Sequence, residues 1–255
     1  MVETVAIYFG LILARVGTFV TVMPLFADRA PRTVRAGLAL ALAVFYFSAV
    51  APRWDAGMAT AVNTNALSFA LALGREALIG AAMGFAFSLF LLPAQIAGTF
   101  ISQQIGLAAG TPIGGPSGQT GSGPLGVAFE IMASIVFLQL DGHHVLLAAM
   151  HASFAKFPLG GMLIPQPTGQ MVAGLQRAQE LGVLLGSPVA FCLFLLTIVL
   201  AFMARVAPQL NIITIGFTLQ SIVALLGIAF LLPDIVRLMC SITGTTGVEV
   251  LKFLG

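Results

Sequence analysis

The sequence predicts an all-α, polytopic integral membrane protein built from helical hairpins and interrupted helices, with about six hydrophobic segments in one domain over residues 1–255. Three observations carry this expectation. Hydrophobic residues make up 59% of the chain and charged residues only 8%, with a mean hydropathy of +1.05, whereas soluble domains carry about 25% charged residues. Apolar runs recur at the length of a membrane span, about 20 residues. The longest break between these runs, Gly98 to Leu125, is dense in Gly and Pro and carries no charge. The net charge of +2 is far too small for nucleic-acid binding.

Val5 to Pro24 is the first span, interrupted by Arg15. An acid stands near the N-terminus where a signal peptide carries positive charge, so this stretch is expected to be a retained helix. The turn FADRAPRTVR follows, holding Arg29, Arg32 and Arg35 against Asp28. The positive-inside rule places this turn in the cytoplasm and the N-terminus outside. Val34 to Val50 is the second span, and Leu67 to Leu92 the third, with Arg75 and Glu76 near its start. Pro93 is expected to interrupt the third helix, leaving Ala94 to Ala109 as a shorter, more polar piece. Leu125 to Leu140 and Val145 to Phe157 are short apolar pieces separated by DGHH. After PLGGMLIPQPTGQ, two long segments close the chain, Leu181 to Met203 and Leu210 to Leu232. Pieces near or below spanning length, bounded by Gly, Pro or charge, predict broken helices packed against protein rather than lipid.

The stretch GTFISQQIGLAAGTPIGGPSGQTGSGPL, from Gly98 to Leu125, is uncharged and dense in Gly and Pro. Its backbone N–H and C=O groups cannot face lipid, so it must sit in protein or line a polar cavity. Glycine-rich backbone also reshapes at little steric cost. These properties mark Gly106, Gly110, Thr111, Pro112, Gly114, Gly115, Pro116, Gly118, Gly121 and Gly123 as a candidate pore plug.

Other polar residues have plainer roles. Arg15 at mid-span costs about 2.5–3.5 kcal/mol on insertion scales, and is balanced between a contact to a partner subunit or backbone carbonyl and snorkelling to an interface. Arg75 and Glu76 leave the helix about 100° apart and are expected to pair poorly with each other. Glu76, Gly80 and Gly84 share a face through i, i+4, i+8 spacing, which predicts close helix packing. Asp141, His143, His144 and His151 lack the i, i+4 spacing of a helical ligand pair, so a polar turn at the membrane boundary is favoured over a metal site. Cys192 and Cys240 are expected to be inert buried thiols. The Gly-rich loop lacks the Lys of a phosphate-binding loop, and no paired acids or nucleophile with its base appears, so no enzyme, cofactor or metal is expected.

The chain resembles the FliR family of flagellar export-gate proteins, whose counterparts serve type III secretion in injectisomes. PLFADRAPRTVRAGLALALA with Arg15, GREALIGAAMGF and GTFISQQIGL are similar to the family's opening, glycine helix and central-loop lead-in. VFLQLDGHHVLLAAMHASFAKFPLG, including Gly142 and His143, and ARVAPQLNIITIGF, including Arg205, Pro208 and Asn211, are the most specific blocks. The resemblance implies helix-packing or subunit-contact roles for these residues. It also implies assembly with FliP-like and FliQ-like subunits into a closed funnel in the bacterial inner membrane at the flagellar basal body. FlhB-like and FlhA-like proteins join on the cytoplasmic side, and unfolded flagellar proteins pass through. The family's central loop maps onto Gly106 to Gly123; the loop here lacks the bulky aromatic that relatives often carry. ISQQIG and DGHH look flagellar rather than injectisome-like. The rival classes are a small-solute secondary transporter, which needs a midplane site built from half-helices, and an intramembrane enzyme.

Overall fold

The computed structural model describes residues 2–23, 30–52, 66–106, 123–160, 168–206 and 212–254. Seven α-helices occupy them: α1 (Val2–Val22), α2 (Arg32–Phe45), α3 (Ala66–Ile105), α4 (Pro124–Gln139), α5 (Gly142–Lys156), α6 (Thr168–Val206) and α7 (Ile212–Leu254). No strand occurs among the described residues. Among the described residues, four stretches are long and apolar enough to cross a bilayer: Thr4–Val22, Arg32–Val50, Ala66–Ile105 and Val172–Val206. The number rises to six if the bent pair α4/α5 and the bent α7 each count as one span. The chain is therefore a multi-pass membrane protein.

Two expectations about helix ends are corrected. Pro93 does not end the third helix; α3 runs unbroken through it for 40 residues, about 60 Å at 1.5 Å per residue. Proline removes one backbone bond, but Ala and Leu on both sides favour the helix, and neighbouring groups can satisfy the freed carbonyl. Similarly, α6 and α7 extend past the apolar runs and carry Pro188 and Pro233 inside them. A bend of 59° separates Ile215–Phe230 from Leu232–Leu238 in α7, next to Pro233, a common cause of helix kinks. The break between α4 and α5 falls where the short segments predicted it, and Asp141 adopts a left-handed φ of 55° there.

The chain forms two compact units. The first holds residues 1–89, 141–172 and 246–255. On α1, Leu11, Ile12, Arg15, Val16, Phe19 and Val20 are buried, as is Met23 just past its end, and their three- and four-residue spacing makes one helical stripe. The matching face of α3 carries Ala72, Glu76, Ile79, Met83 and Phe87, all buried, with the Phe19 and Phe87 rings edge-on at 6.0 Å. Helix α2 continues into a π-helical turn over Tyr46–Val50, whose Tyr46 ring lies 5.0 Å from that of Phe154 on α5.

The second unit holds residues 90–140 and 173–245. Here Phe90 meets Phe137 at 5.7 Å, and Ala94, Ala97 and Ile101 bury the last turns of α3. Outward-facing Phe191, Phe194 and Phe202 leave α6 oily on its other side, as a helix in lipid or against another subunit must be. Cys192 lies on that exposed side and Cys240 is half-buried, which corrects the expectation of buried thiols. An apolar neighbourhood in sequence does not say which helix face a residue occupies.

Candidate functional site

Two places hold the polar residues that the sequence singles out. The first is a buried ionic node where α1, α3 and the end of α5 meet. Arg15 and Glu76 are both fully buried, each at 0% exposure, and the guanidinium is used on several sides. Its Nε donates to Glu76 Oε2 at 2.6 Å. Nη1 donates to the Ser153 carbonyl at 3.1 Å and to Ser153 Oγ at 3.2 Å. Nη2 donates to the Phe157 carbonyl at 2.9 Å. The ring of Phe154 lies 4.5 Å below the guanidinium carbon, a distance at which ring and cation attract. Ser153 and Phe157 bracket the last turn of α5. The Ser153 carbonyl already accepts from the Phe157 N–H at 2.9 Å. Arg15 adds a second donor to it, bonds the Phe157 carbonyl just past the helix, and places positive charge at the helix's negative end.

Glu76 is bonded with similar completeness. Its other oxygen, Oε1, accepts from Arg75 Nη1 at 3.1 Å and from the Gly160 backbone N–H at 3.3 Å. The expectation that Arg75 and Glu76 pair poorly is corrected. The backbone vectors do diverge, but the long arginine stem curls back, and the same guanidinium reaches the Pro158 carbonyl at 3.3 Å. Arg15 thus reaches carbonyls within its own chain rather than snorkelling. Charges inside a membrane protein persist when they pair with one another or with carbonyls, and here both arrangements are combined.

Gly80 completes the node. A Cβ at this position would overlap the Arg15 carbonyl and Thr18 Oγ1 of α1, and one at Gly84 would lie 2.9 Å from Val22 Cβ. These two positions let α1 and α3 approach closely enough for the Arg15 side chain to reach Glu76 without stretching away from α5.

The second place is the base of the glycine-rich stretch. Helix α3 stops at Gly106, whose φ of 80° suits glycine best, and whose N–H returns to the Gln103 carbonyl at 3.0 Å. Helix α4 starts at Gly123 with Pro124 in its first turn, where proline's missing N–H costs nothing. The two ends of the loop are held together. A Cβ on Gly98 would sit 2.7 Å from the Gly126 Cα, and one on Gly123 would sit 2.6 Å from Ser102 Cβ. Ser102 is fully buried there, and its hydroxyl has no hydrogen-bond partner among the described residues. Gly110, Thr111, Pro112, Gly114, Gly115, Pro116, Gly118 and Gly121 lie outside the described residues.

The remaining marked residues are dispersed. Arg205 is exposed at the end of α6, and Pro208 and Asn211 lie outside the described residues. Gly142 is buried in the first turn of α5, while Asp141, His143 and His144 are exposed together beside it. Helical i, i+4 spacing does not report this grouping, because Asp141 stands outside the helix in a left-handed conformation and its carboxylate turns towards His144. Sequence inspection also missed the ring of Ser153, Phe157, Pro158 and Gly160 around the node. A signal for it was present: Arg15, Arg75 and Glu76 are the charges set within the first and third apolar segments, and intramembrane charges seek one another.

Residues 6–245 match the family described as bacterial export proteins, family 1. The chain is similar to the flagellar biosynthetic protein FliR of Escherichia coli K12, at 30% identity over 226 residues covering 87% of this chain and 82% of the relative. It is similar to FliR of Bacillus subtilis 168, at 28% identity with 97% and 95% of the two chains covered. It also resembles the Yop proteins translocation protein T of Yersinia pestis, at 24% identity with 75% and 72% covered.

Proposed function

This chain belongs to the bacterial export proteins of family 1, and we propose that it is a core subunit of the gate through which a flagellar type III apparatus exports unfolded proteins. In this reading it sits in the bacterial inner membrane within the flagellar basal body. It builds the closed pore together with FliP-like and FliQ-like subunits, while FlhB-like and FlhA-like components meet it from the cytoplasm. Gly106 to Gly123 form the plug of that pore.

The observation that carries this reading is the closed base of the loop. Sixteen uncharged residues, 107–122, leave α3 and return to α4 at one point, where Gly98, Ser102, Gly123 and Gly126 are in contact. A segment tethered at a single point, with too little apolar surface to pack in lipid and too much backbone polarity to face it, belongs in a protein-lined lumen. Its glycines let it take many shapes at low steric cost, which suits an element that moves aside for a passing chain. The chain's mixture of long spans and short broken helices serves the same end, since broken helices leave surface that only neighbouring subunits cover.

The test is removal of Gly114–Gly121 within an assembled complex. The shortened loop is expected to leave the gate leaky to small ions while assembly and initial export persist. Ion leakage at the wild-type level, with assembly confirmed by co-purification, would show that the loop is a connector and not a plug.

A further inference from the structure

We propose that Asp141, His143 and His144 form a surface site for a divalent transition cation of the zinc class, built on the left-handed turn that opens α5. Among the described residues these are the three whose ligand-capable atoms gather, all within 4.8 Å of one another. His144 Nδ1 and Asp141 Oδ1 are 3.5 Å apart. Two ligands bound to zinc at about 2.0–2.1 Å in tetrahedral geometry are separated by about 3.4 Å. This pair already stands at the ligand–ligand spacing of such an ion.

The local backbone explains why three neighbouring residues converge. In a continuous helix, positions i and i+3 share a face, but i+2 leaves on nearly the opposite side. Asp141 escapes that constraint with φ 55° and ψ 29°, and its carbonyl accepts from the His144 N–H at 2.9 Å, which fixes the turn. The imidazoles of His143 and His144 then lie together with ring centroids 4.1 Å apart. Two imidazoles and one carboxylate are donors that suit zinc, nickel or copper and suit magnesium poorly. Three protein ligands leave a coordination position open for water or for a group from a neighbouring subunit. The positive end of α5 opposes a cation at this point, and the charge of Asp141 offsets it. All three side chains are exposed, so an ion enters without unfolding anything. Once bound, it ties the carboxylate of the turn to the first turn of α5 and stiffens the start of that helix. The inference is independent of the plug: it rests on this turn alone.

The experiment uses the full chain, purified without a histidine tag in the company of whatever subunits accompany it, stripped with chelator and titrated with Co²⁺. Low-coordinate cobalt with nitrogen and oxygen ligands absorbs visible light far more strongly than the aqueous ion. One equivalent per chain of such absorbance is expected, and Zn²⁺ should displace it. Loss of second-shell partners alone weakens metal sites by about 10–100-fold, so His143→Ala and His144→Ala should each weaken binding by roughly tenfold or more. The conservative Asp141→Asn should weaken it as well. His151→Ala, on α5 but outside the cluster, should leave it unchanged. Circular dichroism at wild-type strength qualifies each variant, and His144→Gln replaces His144→Ala if the alanine variant loses helix. Binding that is absent in the wild type, that persists in both single histidine variants, or that falls equally with His151→Ala would overturn the proposal.

Discussion

Removing the carboxylate of Glu76 is the most incisive perturbation of the node. In Glu76→Ala, Arg15 Nε loses its 2.6 Å acceptor, Arg75 loses a 3.1 Å partner and the Gly160 N–H loses its 3.3 Å acceptor. Water cannot replace them at Arg15, because the guanidinium is 0% exposed. Removing one member of a buried ion pair typically costs about 3–5 kcal/mol, since the remaining charge is left without compensation. At about 2–4 °C per kcal/mol for a chain of this size, the melting temperature of the detergent-solubilised protein should fall by on the order of 10 °C. Glu76→Gln keeps the shape and one acceptor but loses the charge; a hydrogen bond to a charged group is worth about 1.5–3 kcal/mol, so this variant should fall between wild type and alanine. Adding Arg15→Met to Glu76→Ala should cost less than the sum of the two single changes, because the unpaired cation is gone. It should not restore wild type, since the Phe157 carbonyl then loses the Arg15 donor and the Ser153 carbonyl keeps only the Phe157 N–H. Fluorescence-detected size-exclusion melting of the four proteins gives the cycle directly. An unchanged melting temperature in Glu76→Ala, or strict additivity in the double variant, would show that Arg15 and Glu76 are not coupled and that the node does not hold α1, α3 and α5 together.

Further outcomes follow from the packing. Gly80→Ala should be strongly destabilising, because its Cβ would meet backbone and hydroxyl atoms of α1, while Gly74→Ala, with nothing within 4 Å, should be neutral or stabilising by up to about 1 kcal/mol; equal melting temperatures would refute the close approach. Ser102→Ala removes a buried hydroxyl that lacks a partner among the described residues and should be neutral or slightly stabilising in the same assay, where a loss above about 1 kcal/mol would reveal a hydrogen bond at this point. Replacing His143, His144 or His151 by Gln should leave motility on soft agar largely intact; failed export from a normally assembled complex would show that these side chains take part in export itself.

The sequence by itself determined the class of molecule and its main divisions. Hydropathy is a sum over neighbours in the chain, so the spans could be placed without knowing what they touch, and the break at Leu140–Asp141 was visible because charge and glycine interrupt an apolar run. The stripe of Glu76, Gly80 and Gly84 was legible for a related reason, since helical periodicity converts spacing into a face. Tertiary structure decided the rest. Whether Pro93 ends a helix depends on whether other groups satisfy the freed carbonyl, which local propensity does not report. Whether Arg15 snorkels or is enclosed depends on Glu76, 61 residues away, and on Ser153 and Phe157, 138 and 142 residues away. The grouping of Asp141 with two histidines depends on one left-handed residue. Pairing energy in a low-dielectric interior is set by distance in space, and separation along the chain leaves that distance open until the helices have packed.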